Sequence, residues 1–405
     1  MSGPIASRVG SLSSHPDQAP ALDVDGLLDD LDTHIIVCCG SGGVGKTTMS
    51  AALALRAAER GRKVVVLTID PARRLAQSMG IEALDNAPRP VPGVSGESGG
   101  SLDAMMLDMK RTFDEVVESQ ASPEKAAQIM SNPFYLALSS SFAGTQEYMA
   151  MEKLGQLHKD ARRTGFRDLI VVDTPPSRSA LDFLDAPERL SSFLDGRFIR
   201  ILLAPAKGPA RLMTAGLGLV TNALTKILGA QVLRDMSTFV SAFDTLFGGF
   251  RQRATQTFEL LQARGTAFLV VAAPEPDALR EAAYFVERLE EEGMPLAGLV
   301  VNRASRSRRG SLTSEQAMVA AERLSGSPSG PATQSANGDA HLTVGLLQLA
   351  ADRARIVARE TRLRRRFTAA HPRVPTVVVP ALPTDVNDLD GLRLVGELMA
   401  ASGPA

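Results

Sequence analysis

The stretch Gly40-Ser41-Gly42-Gly43-Val44-Gly45-Lys46-Thr47-Thr48 has residue types and a spacing that specify chemistry. It satisfies G-x-x-x-x-G-K-[S/T], a spacing that wraps main chain closely around phosphate oxygens. Glycine lets the N–H groups turn inward, and the N-terminus of a following helix adds positive potential. Lys46 is placed to reach the β- and γ-phosphates of a nucleotide, and the Thr47 hydroxyl to ligate Mg²⁺. A glycine-rich turn with no ligand is the bland alternative. It does not account for the apolar run "HIIVCC" before the loop or the helical pattern "MSAALALRAAERG" after it.

Positioning such a loop requires a strand and a helix, and the rest of the chain supplies more of both. Short β-branched runs predict strands at 34–39, 63–69, 103–109, 168–173, 267–273, 298–302 and 375–380. Continuously apolar strands alternating with helical patterns imply a mostly parallel sheet covered on both faces, a doubly wound α/β fold. The pattern divides into a disordered tail over 1–30 and a single domain over 31–398. Helical insertions are expected at about 111–165 and 186–262, and a flexible Ser/Gly/Pro loop at about 323–341. Residues 86–100 read as another loop rich in Pro, Gly and Ser.

Composition narrows the class. The chain has 405 residues, 44% hydrophobic and 22% charged, with a formal net charge of −1. That balance creates no global field toward nucleic acid or an anionic membrane. Trp is absent and aromatics are 4%, which argues against base stacking, and no nucleic-acid partner is expected. The two cysteines, Cys38 and Cys39, are neighbours on a predicted strand and point to opposite faces, so neither a disulfide nor a metal site is expected. That usage and the absence of an apolar leader predict a cytoplasmic protein, any membrane contact being made through a partner.

Further segments identify a resemblance. "TIDPARRL" (68–75), "VVDTPPSRSALDFL" (171–184), "VVNR" (300–303) and "PALPTDV" (380–386) each follow or end a predicted strand. With "GGVGKTT", "LDAMMLDMKRTFDEV" and "FAGTQEYMAMEKL" they resemble the arsenite-pump and tail-anchored-protein-targeting ATPases, a branch of the deviant P-loop ATPases. The resemblance runs from about Thr33 to Leu392. It implies a dimeric, Mg-ATP-dependent ATPase. Asp70 would be the catalytic carboxylate of switch I that positions the attacking water, beside Lys46. Asp173 would be the Walker B carboxylate that holds Mg²⁺ through water. Asn302, with Pro380 and Leu382, would meet the nucleotide, the amide both donating to and accepting from the adenine edge.

Two positions depart from that family. Its loop reads G-K-G-G-x-G-K-T, and the first lysine reaches across the dimer to the partner's nucleotide; this chain has Ser41 there. Its switch II has Gly-His where this chain has Arg178-Ser179. Arg178, Arg73 or Arg74 could replace the missing charge, or all three could be solvated surface arginines. Either hydrolysis is slow and nucleotide acts on conformation, or a paralogous subunit with an intact lysine completes the site in a heterodimer. The second is preferred here over a homodimer.

The insertion bears on cargo. Met213, Leu217, Val220, Leu224 and Ile227 recur at helical spacing, as do Phe239, Phe243 and Phe247 in a second run. These stripes either pack into the domain or line a groove for a hydrophobic client or membrane protein, as the resemblance implies. Metalloid handling needs several soft thiolates, which two strand cysteines do not supply. A DNA- or membrane-surface positioning ATPase is the weaker alternative. It would rest on the arginine-rich helix 352–367, whose Ile356, Val357, Leu363 and Phe367 predict packing against the domain and whose arginines predict a solvated face.

Overall fold

The computed structural model describes residues 19–69, 74–94, 98–133, 135–136, 139, 145–175, 252–306, 310–325 and 334–401. Within them, β1 (Ile35–Cys39), β2 (Lys63–Thr68), β3 (Arg89–Pro90), β4 (Ser101–Met106), β5 (Leu169–Asp173), β6 (Thr266–Ala272), β7 (Leu296–Ala304) and β8 (Thr376–Pro380) form one sheet. Its order is β3-β4-β2-β5-β1-β6-β7-β8. Every neighbouring pair is parallel except β3 with β4, an antiparallel edge. The strand that leads into the glycine loop is thus central, where both faces are dry: β1, β5 and β6 are buried at every residue.

Helices among the described residues include α1 (Val24–Asp29), α2 (Lys46–Glu59), α3 (Arg74–Ser78), α4 (Met109–Gln120), α5 (Pro123–Met130), α6 (Thr145–Thr164), α7 (Pro276–Glu291), α8 (Ser314–Ser325), α9 (Gln334–Ala370) and α10 (Leu389–Ala401). They make two apolar layers. On one face α2 and α10 bury Leu53, Leu55, Leu392, Val395 and Met399 against Ile36, Cys38 and Val66. On the other, α4, α6 and α7 bury Phe113, Leu154 and Phe285 against Ile35, Val37 and Cys39. The alternation along β1 puts the two cysteines in different layers, as the period of two requires.

Three boundaries differ from the sequence expectation. The tail does not extend to residue 30, because Leu22, Val24 and Leu28 are 7%, 2% and 0% exposed. The Asp25 carboxylate also takes a forked pair of bonds from Arg56 at 2.6 and 2.7 Å, which ties α1 to α2 and holds its pKa below the usual carboxylate range. The strand expected at 103–109 stops at Met106, since Asp108 caps α4 by accepting from Arg111 N–H at 2.9 Å. The loop expected at 323–341 is narrower at both ends, α8 reaching Ser325 and α9 starting at Gln334. Those two helices pack against each other, and Ala317, Ala321 and Ala351 on them are buried.

Ile356 also departs from expectation. Phe367 is buried and Leu363 packs against the core, but Ile356 is 52% exposed because it lies off the side of α9 that meets α8. The stripes expected to form a client groove, Met213 to Ile227 and Phe239 to Phe247, lie outside the described residues.

Candidate nucleotide site

Strand register assembles the site. Parallel pairing of β1 with β5 sets Cys38 opposite Asp173, two residues before the loop begins at Gly40. Pairing of β2 with β5 sets Thr68 opposite the same Asp173. The fully buried Asp173 carboxylate therefore sits between two threonines: Thr47 Oγ1 donates to its Oδ2 at 2.7 Å, and Thr68 Oγ1 at 2.9 Å. With the Thr47 proton directed at Asp173, the lone pairs of its hydroxyl remain available to a cation.

The loop holds a shape that two glycines make possible. Gly40 has φ +145°, and a Cβ there would lie 2.1 Å from the Val271 carbonyl oxygen. Gly45, which caps α2 at φ +94°, would place a Cβ 2.4 Å from Asn302 Nδ2. Inside this shape Lys46, 6% exposed, turns its ammonium onto the carbonyls of Gly40 and Ser41 at 2.9 and 2.8 Å. A phosphate in the loop would draw that ammonium away from neutral carbonyl oxygens toward charged ones, a stronger kind of hydrogen bond.

A β-bulge closes the other side. The register of β7 on β8 shifts between Val301 and Ala304, and Arg303 within the shift has φ +58°. Such bulges re-aim side chains beside functional sites, and a non-glycine residue at positive φ marks local strain held by its surroundings. Asn302 Nδ2 donates to the Val44 carbonyl at 2.8 Å, and Arg303 N–H donates to Asn302 Oδ1 at 2.8 Å. The Arg303 guanidinium reaches the Gly43 carbonyl at 3.0 Å. These bonds leave one amide N–H and one oxygen lone pair on Asn302, the complement that an adenine edge would use.

Between loop and bulge lies a cavity of about 600 Å³. Gly43, Gly45, Lys46, Thr47 and Thr48 line it, together with Asn302, Pro380 and Leu382. Gly40 and Ser41 contribute through their carbonyls to Lys46, Val44 through its carbonyl to Asn302, and Gly42 is exposed at the loop's outer edge. Asp70, Arg73, Arg178 and Ser179 lie outside the described residues, as does the side chain of Arg74. Sequence reasoning missed Arg303, Gln77, Thr384 and Asp385, which also line the cavity. Arg303 and the last two belong to segments that the sequence had singled out, "VVNR" and "PALPTDV"; nothing in the sequence marked Gln77.

Cys38 and Cys39 stand just before the loop, yet both are buried, and burial pushes both thiols up to about 12. A thiol held protonated is a poor ligand for a soft metalloid. Among the described residues no group of three or more His, Cys, Asp or Glu side chains is arranged to hold a metal ion.

A glycine loop between a central parallel strand and a helix, faced by a buried aspartate on the next strand, defines a P-loop nucleotide-binding protein. The chain belongs, more particularly, to the anion-transporting ATPase family, whose model matches residues 33–309. Its relatives include "ATPase GET3" of Malassezia globosa, 30% identical over 178 residues, which are 44% of this chain and 50% of that protein. An "Arsenical pump-driving ATPase" of Acidiphilium multivorum is 30% identical over 38% of this chain and 26% of its own length. An "ATPase ASNA1 homolog" of Cryptosporidium parvum is 26% identical over 65% of this chain and 63% of its own. The matches thus span from about a quarter to under two thirds of these relatives.

Proposed function

We propose that the chain binds Mg-ATP in the cavity between loop and bulge and hydrolyses it within a dimer, the change of nucleotide rearranging that dimer to handle a hydrophobic client or membrane partner. The observation that carries the reading is the 2.7 Å contact between Thr47 and the buried Asp173, set beside Lys46 in a glycine loop. Two hard oxygen donors on neighbouring elements fit Mg²⁺, which is held by few protein ligands and keeps several waters. Thr47 would hold the ion directly and Asp173 through water. When bound, Mg²⁺ neutralises charge building on the β- and γ-phosphates. Lys46 and the loop N–H groups do the same from the protein side, and Asp70 orients the attacking water. The names of the relatives support an ATPase, and that of the arsenical pump-driving ATPase supports one that drives a partner protein.

A second reading follows from Ser41, which is 9% exposed and carries no charge. In a symmetric pair neither site would receive a lysine from this position of the other copy. The chain then serves as one subunit of a heterodimer and turns over little ATP alone.

Asp173→Asn tests the metal assignment, because it keeps the shape and the bonds to Thr47 and Thr68 but removes the charge. We expect ATP binding in EDTA to survive, while Mg²⁺-dependent turnover falls on the order of a hundredfold. Mg²⁺ titrations of ATP hydrolysis that coincide for variant and wild type would remove Asp173 from the site.

A further inference from the structure

The bulge at the end of β7 does more than present Asn302 to the cavity. Asn302 and Arg303, adjacent in sequence, donate to two successive carbonyls of the glycine loop. Asn302 Nδ2 reaches Val44 at 2.8 Å, and Arg303 Nη1 reaches Gly43 at 3.0 Å. A trans peptide is planar, so a carbonyl held on one side sends the N–H of the next residue to the other side. The Gly43 carbonyl held by Arg303 therefore turns the Val44 N–H the opposite way, and the Val44 carbonyl held by Asn302 does the same for the Gly45 N–H. Gly43 and Gly45, at φ +76° and +94°, permit this alternation. It gathers successive N–H groups into an anion-binding concavity.

Arg303 reaches the loop from an unfavourable backbone. Its φ is +58°, in the left-handed region that residues with a Cβ rarely adopt. The surroundings hold it there. Before it, Val301 stays in register with Val378; after it, Ala304 pairs with Pro380 and accepts from the Ala381 N–H at 2.9 Å. Ser305 donates its N–H and its hydroxyl to Glu360 of α9 at 2.7 and 2.8 Å. Both ends of the strained pair are thus fixed, a pattern that clusters where strain serves a site. Core packing gives no reason for an arginine here, since the side chain is exposed and lines the cavity.

We propose that Arg303 is a positioning residue for phosphate. Its guanidinium holds the Gly43 carbonyl away from the phosphate position, so that the Val44 N–H stays aimed at the phosphate chain. The charge adds to the effect, because polarising a peptide carbonyl makes the N–H of the same peptide a better donor. The inference rests on the ATP reading of the cavity and adds a residue that acts through the loop and not through the base.

The test measures binding of Mg-ATP, and of tripolyphosphate with Mg²⁺, to the full chain by calorimetry. Tripolyphosphate has the phosphate chain and no base. Arg303→Gly removes the guanidinium and also relieves the positive-φ strain, so the thermal midpoint should not fall. Affinity for the two ligands should fall together, about three- to tenfold, which is the worth of one hydrogen bond. Arg303→Lys keeps a charged donor and should recover most of the loss for both. Lys46→Ala, measured alongside, separates the two readings. If it weakens both ligands while Arg303→Gly binds them like wild type, the proposal fails and the ATP reading stands. If neither variant changes either affinity, the ATP reading fails and the proposal with it. A loss for ATP alone would mean that Arg303 meets the base or ribose directly, which overturns the proposal. So does an equal loss that lysine does not repair, because the freedom of the glycine backbone would then be its cause.

Discussion

Lys46→Ala is expected to weaken ATP binding about tenfold to a hundredfold and to remove hydrolysis. Lys46 is buried and its ammonium donates to the two carbonyls that open the loop, which are neutral oxygens. A phosphate arriving in the loop exchanges those contacts for charge-assisted ones. Hydrogen bonds to a charged group are worth about 1.5–3 kcal/mol, and 1.4 kcal/mol is a factor of ten. Hydrolysis suffers more than binding, because charge on the phosphate oxygens grows toward the transition state. Calorimetric titration measures the first effect and phosphate release the second. Circular dichroism separates both from unfolding, which matters because the same ammonium also holds Gly40 and Ser41 in place. Unchanged affinity in a folded variant would sink the loop assignment.

The larger effect is expected from restoring a cation opposite the site. Mixing this chain with a paralogue whose loop reads G-K-G-G-x-G-K-T should raise ATP turnover far above the sum of the two alone. A trans arginine in GTPases is worth about 10³–10⁵ in rate, which sets the scale. The gain should belong to the site built on this chain's Lys46, Asp70 and Asp173, since in the proposed heterodimer the paralogue's lysine would point there while Ser41 would face the other nucleotide. Asp70→Asn in this chain should therefore abolish most of the gain, and the equivalent change in the paralogue should cost little. Ser41→Lys should let this chain turn over ATP as a homodimer. Ser41 is nearly buried, so the longer side chain must leave along the loop's outer edge, where Gly42 is already exposed. A demonstrated Ser41→Lys homodimer that stays as slow as wild type would shift attention to Arg178 in switch II.

Much of this was legible in the sequence, for identifiable reasons. The seven parallel strands announce themselves because both faces of the sheet are buried, leaving continuous runs such as "KVVVLT" and "LIVVD". The glycine loop is legible because Gly40 and Gly45 occupy backbone positions that a Cβ would obstruct. What stayed hidden depends on partners distant in sequence. Arg89 and Pro90 form a strand only because β4 offers its edge, and residues 86–100 otherwise read as loop. α1 is held by Arg56 and Arg60, about thirty residues away, so six residues with little pattern of their own looked like tail. Arg303 was visible within "VVNR", but its role arises from a register shift against β8 that no single segment encodes. Ile356 looked like core by its type, and it became surface because α8 takes the other side of the helix.

A structure of the chain with Mg²⁺ and a non-hydrolysable ATP analogue would show whether phosphate and metal meet in the loop between Gly40 and Thr48. Phosphates are expected within the loop, with Lys46 withdrawn from the Gly40 and Ser41 carbonyls onto them, Mg²⁺ beside Thr47 and Asp173, and adenine against Asn302, Pro380 and Leu382. Nucleotide bound elsewhere on the chain, with Lys46 still on the loop carbonyls, would contradict this expectation.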